Sequence, residues 1–142
     1  MAITTSVYNT YKSDLFSGNV DHVNDVIKVA LVTSSYSVDV DAHEFFDDIT
    51  NEITGTGYTA GGVTLTSKTV TTDDTDNEGV FDAADASWPT ATFTTRGAVV
   101  YKVGASDATS PLMFYINFGQ DESPSTANFN VIWSAEGVAN IN

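Results

Sequence analysis

The chain contains no cysteine, which excludes disulfide bonds, thiolate metal sites and a cysteine nucleophile. Basic residues are scarce as well: 5 Lys and Arg stand against 19 Asp and Glu, for a net charge of −14. Such a surface repels DNA, RNA and anionic membranes, so neither nucleic acid nor membrane is expected as a partner. No run of about 18 apolar residues occurs, so no membrane-spanning helix is expected. Met1 to Ser6 lacks a basic region followed by an apolar run. The chain is therefore expected to be made in the cytoplasm without a secretory signal.

What is present is enough for a core. The 142 residues are 42% hydrophobic and 11% aromatic, and a single domain of this length buries about two-thirds of its unfolded surface without covalent staples. Val7, Tyr8, Tyr11, Leu15 and Phe16 recur at helical spacing, which predicts a short helix over Ser6–Ser17, capped by Ser6 and stopped by Gly18. Val26 to Thr33 is apolar on both faces apart from Lys28 and reads as a central strand. His43 to Ile49 reads as a helical turn near residues 42–48, with Asp41 as its cap.

Beyond Gly55, Gly57, Gly61 and Gly62, which mark an irregular crossing around Tyr58, the alternation becomes regular. Strands are predicted in Val63–Thr66, Lys68–Thr71, Val80–Ala83, Ala91–Thr95, Gly97–Lys102, Leu112–Phe118 and Phe129–Trp133, with a short terminal one at Val138–Ile141. Trp88-Pro89 is expected to interrupt pairing, because proline lacks the ladder's N–H. Roughly eight strands without a βαβ rhythm predict a mainly β, single-domain antiparallel β-sandwich or jelly roll. Residues 1–20 form its N-terminal arm and helix, and 21–142 its β-sandwich body.

Chemistry-bearing patterns are few. Counted from Asp74, acids fall at positions 1, 3, 5, 9 and 12 (Asp74, Asp76, Glu78, Asp82, Asp85), with Gly79 at position 6, which is the spacing of a calcium loop. Against a Ca2+ site stand the missing flanking helices and the short arm of Asp85. A hydrated hairpin turn is the simpler reading. A second acidic run, Asp39, Asp41, Glu44, Asp47 and Asp48, reads as a solvated face. His22 and His43 lie in no zinc spacing. No GxSxG elbow or Walker-type loop occurs, and no pair of carboxylates is singled out for glycoside hydrolysis. No catalytic residue and no cofactor are assigned, and a non-enzymatic role is expected. Trp88, Tyr58, Tyr101 and Trp133 are candidates for a sugar platform or, more simply, for the core.

Three segments run in a telling order: Ile27–Tyr36, His43–Asp48 and Asn51–Gly62. Phe81 to Trp88, Ala98–Lys102 and Phe114–Gly119 follow them. In this the chain resembles a family of small virion structural proteins of tailed bacteriophages, from about Thr5 to Trp133 and most specifically in the glycine stretch. The resemblance implies a capsid decoration (cement) protein, localised in the virion after synthesis in the bacterial cytoplasm. Its implied partners are the major capsid protein or other virion proteins and its own copies, as a trimer. The alternative it leaves open is a tail or head-fibre domain that binds host glycan. The acidic loop is not a fixed feature of the family. For docking onto the shell, the arm's Tyr8, Tyr11 and Phe16 are the expected contacts.

Overall fold

In the computed structural model, which describes residues 2–142, the chain is mainly β and every strand pairing is antiparallel. Its strands, in order, are β1 (Thr4–Val7), β2 (Ile27–Val32), β3 (Val63–Thr64), β4 (Thr69–Asp73), β5 (Glu78–Asp82), β6 (Ala86–Thr92), β7 (Thr95–Lys102), β8 (Leu112–Glu122), β9 (Ser125–Val131) and β10 (Ala139–Ile141). One helix, α1 (Asn9–Ser17), and two single 3-10 turns complete the elements. The strands form a five-stranded sheet, β1-β8-β7-β2-β3, a three-stranded sheet, β10-β5-β4, and a β6-β9 ribbon.

The continuous apolar run of β2 has a direct cause. β2 lies inside the large sheet, and both faces of that sheet are covered. Ile27, Val29 and Leu31 point into one core with Trp88, Ala91, Phe93, Phe114 and Val131, beneath the smaller sheet and the ribbon. Ala30 and Val32 point the other way, to Tyr8, Tyr36, Phe46, Val99 and Tyr115. A register shift beside Tyr101, which pairs with Leu112 while Val100 pairs with Phe114, leaves Met113 as an extra residue. Met113 and Phe114 can therefore both enter the first core. The exposed surface is 7398 Å², close to the roughly 7,100 Å² that the size scaling of compact monomers gives for 15 kDa.

Several expectations are corrected in detail. The N-terminal segment is not helical from Ser6. Ser6 and Val7 pair with Tyr115 and Phe114, so the first residues form a sheet strand and the helix starts at Asn9. The arm is thereby built into the body. Gly18 does stop the helix, in the left-handed conformation at φ 72°. The turn near residues 42–48 is 3-10 and covers only Phe46–Asp48. Asp41 does not cap it. The Asp48 carboxylate accepts from the Glu44 and Phe45 N–H groups at 2.8 and 3.1 Å instead. Pairing is interrupted locally at Pro89, as expected: Pro89 and Thr90 have no partner in the ladder and the register shifts between Trp88 and Ala91, while β6 continues along β9 on both sides.

Candidate interaction surface

The most developed concave feature is an apolar groove between the two sheets. Along β1, Thr5 and Val7 pair with Ile116 and Phe114, and side chains on directly paired residues share one sheet face. That face forms one wall. The other wall comes from Val70 and Phe81, which are paired across β4 and β5, and from Ala139 and Ile141 of β10. The volume of this half-open groove is about 650 Å³. A second hollow of about 560 Å³, reaching Ile3, Phe118, Phe129 and Ile132, shares Thr5, Phe114 and Val138 with the first, so the two adjoin. Ile3, Val70, Ile132 and Ile141 are each more than half exposed along it.

Backbone geometry adds a second property. β1 ends the five-stranded sheet and β10 ends the three-stranded one, and residues of both edge strands line the same groove. The Tyr8 N–H donates to the Met113 carbonyl at 3.2 Å. Alternation along an antiparallel ladder then directs the N–H and C=O of Ser6 and Thr4 toward β8, and those of Thr5 and Val7 away from it. Lys12 of α1 lines the first hollow and Glu122, the last residue of β8, lines the second.

The arm residues expected to dock divide sharply. Tyr8 is fully buried, and its hydroxyl lies 2.7 Å from that of Tyr36, which is 2.9 Å from His43 Nδ1. Burial pushes the Tyr8 phenol far above its ordinary pKa, so that hydroxyl stays protonated. Tyr11 is buried too, 2.7 Å from His22 Nε2, and burial pushes its phenol up to about 12. Both tyrosines are core residues; Tyr8 presents no contact surface, and Tyr11 shows only a small part of its ring, in the groove wall. Phe16 alone remains available, at 97% exposure.

The calcium-loop reading is also corrected. Glu78 to Asp82 is an extended strand, which spreads those two residues over about 13 Å at roughly 3.3 Å per residue. Asp74 and Asp76 lie in the β4–β5 turn, and Glu78, Asp82 and Asp85 have local partners instead. Asp73 accepts from the Thr75 and Asp76 N–H groups to close the β4–β5 turn. Asp82 accepts from Ala83 N–H, and Asp85 from Trp133 N–H at 3.0 Å. Glu78 is buried, accepts from Asn140 Nδ2 at 2.8 Å and faces Glu136; one of its carboxylate oxygens has no partner among the described residues. Burial first, and the Glu136 carboxylate second, push the Glu78 pKa up. Among the described residues no three His, Asp or Glu side chains converge to hold a metal ion.

The second acidic run behaves as a solvated loop: Asp39 and Asp48 cap backbone N–H groups, and Asp41 accepts from Asn9 Nδ2 at 2.5 Å. The sugar-platform candidates do not form an exposed row. Trp88 and Tyr101 are buried, and Tyr58 packs between Trp88 and Phe93. The glycine stretch serves chain geometry. Glu52, which the sequence reading passed over, accepts from Tyr58 Oη at 2.7 Å and from Gly61 N–H at 2.5 Å. Tyr101 Oη closes the knot on the Gly61 carbonyl at 2.7 Å. The groove was passed over too, because its lining comes from distant segments; the only sequence signal was the apolar character of Ile3, Val70 and Ile141. No helix among the described residues is long and apolar enough to cross a membrane. No family model, curated protein or solved structure matches the chain.

Proposed function

We propose that the chain is a non-enzymatic structural component of a tailed-phage virion, a capsid decoration protein that reinforces the shell through protein–protein contacts. The observation that carries this reading is the apolar groove, with a second apolar hollow beside it, that has an open strand edge on two of its sides. Monomeric proteins rarely leave contiguous apolar surface and unpaired edges together unless another chain covers them. The order of segments that resembles small phage virion proteins supports the same assignment. The net charge of −14 fits a protein displayed densely on a particle, where like charge keeps copies and particles apart. In this role the chain adds contact area between shell subunits, its own copies forming a trimer at a symmetry junction.

Burial of Trp88 and Tyr101 disfavours the alternative, a glycan-binding tail or fibre domain. Co-sedimentation of the purified protein with DNA-free shells tests the proposal. Saturable binding at a stoichiometry tied to shell symmetry supports it. Failure to bind shells, together with binding on a glycan array, overturns it.

A further inference from the structure

The groove has an apolar floor and, at Thr5 and Val7, outward-facing backbone donors and acceptors on an exposed edge strand. An apolar helix would bury the floor and leave those backbone groups unpaired. An extended strand satisfies both, by main-chain hydrogen bonds to the edge and by alternate side chains entering the groove. The occupant's charge follows from the net −14, since acidic segments are repelled and basic ones steered in. As the occupant of this groove, a second copy of the chain, with the same −14, is disfavoured relative to a basic segment; self-association through other faces is a separate matter.

We propose that β1 and the adjoining groove capture an extended, basic segment of another protein, apolar at alternate positions, by adding it as a new strand to the five-stranded sheet. This rests on the reading that the chain works through protein contacts, and it specifies the chemistry of the segment captured.

The probe is a synthetic nonapeptide of alternating Lys and Val, blocked at both ends, with a control N-methylated at alternate residues. The control keeps charge and side chains but cannot pair along one edge. Binding is followed by fluorescence anisotropy. The unmodified peptide is expected to bind at least 10-fold more tightly than the methylated one. Thr5→Pro removes an N–H that faces away from β8, a position where an edge strand tolerates proline. It is expected to weaken the unmodified peptide at least 10-fold while the melting temperature holds.

Equal binding of the two peptides would show attraction by charge alone and overturn the proposal. So would unchanged peptide affinity in a folded Thr5→Pro variant, or a wild-type dimer that Thr5→Pro dissociates, which would assign the edge to a second copy. The methylated peptide tests the unaltered protein, so a variant that fails to fold does not shield the proposal. Shell co-sedimentation is scored in parallel. Shell binding without peptide capture overturns this inference alone; peptide capture without shell binding supports it and overturns the virion assignment.

Discussion

Replacing Gly62 by alanine probes the packing of the glycine stretch against the central strand. Gly62 has φ +79°, and a Cβ there would stand 1.8 Å from the Val29 carbonyl oxygen and 2.7 Å from the Ala30 Cα. Two costs follow. A left-handed alanine costs about 1–2 kcal/mol. The contact falls on the backbone of β2, which lies between β3 and β7 with every residue but Lys28 buried. It cannot be relieved by turning a side chain, and shifting the strand loosens packing on both faces. A total of about 3–4 kcal/mol is expected, near the upper end for single substitutions. At about 3 °C per kcal/mol for a domain of this size, the melting temperature should fall by roughly 10 °C. Two controls separate the causes. Gly18→Ala has φ +72° and open space around it, so it should lose only the conformational term, about 1 kcal/mol. Gly79→Ala meets nothing within 4 Å and lies in a strand, where alanine is preferred by about 0.5–1 kcal/mol; it should be neutral or slightly stabilising. Thermal unfolding by circular dichroism ranks the three. A Gly62→Ala variant melting within about 3 °C of the parent would refute the close approach of the glycine stretch to β2.

Other outcomes follow from the same structure. Trp88→Ala should cost about 3–5 kcal/mol in chemical denaturation, because it empties a site at the centre of the first core. Trp88→Phe should cost less than half of that, since it also removes a buried indole N–H that has no partner. Phe16→Ala, on a fully solvated ring, should stay within about 0.5 kcal/mol. Burial lowers the His22 pKa from its ordinary 6.5, so the unfolded chain takes up that proton more readily. The stability that neutral His22 contributes is complete above pH 6.5 and is lost as pH falls below it. His22→Asn should flatten the melting curve's pH dependence between about pH 7 and 5. Glu78 has the opposite sign: its raised pKa marks a penalty present at neutral pH and relieved on acidification. Glu78→Gln should therefore raise the melting temperature at pH 7, with the gain disappearing as Glu78 is protonated in the parent. Calcium at 1 mM should leave the melting temperature unchanged, whereas a site with a Kd of 10 μM would add about 2.7 kcal/mol.

How much of this was legible depended on range. β2 could be read because its apolar run is a local consequence of burial on both faces, and Gly18 because a left-handed stop is a one-residue requirement. β1 could not: Val7, Tyr8 and Tyr11 fit a helix by spacing alone, and only the remote β8 draws Thr4–Val7 into a sheet. Asp74 to Asp85 matched a ligand spacing that holds for a loop, and strand pairing between β4 and β5 straightened it. The expected contact residues went astray for the same reason. Tyr8 is held by Tyr36 and Tyr11 by His22, and neither partner is visible in the local pattern. The groove and its two open edges exist only once segments from Ile3 to Ile141 have been brought together.

The most direct test of the central claim is a cryo-EM reconstruction of the assembled phage particle. The structural account predicts density for this chain in many symmetry-related copies on the shell, with β1 and the apolar groove turned into a protein contact. Absence of the chain from the particle, or copies in which β1 and the groove face open solvent, would contradict it.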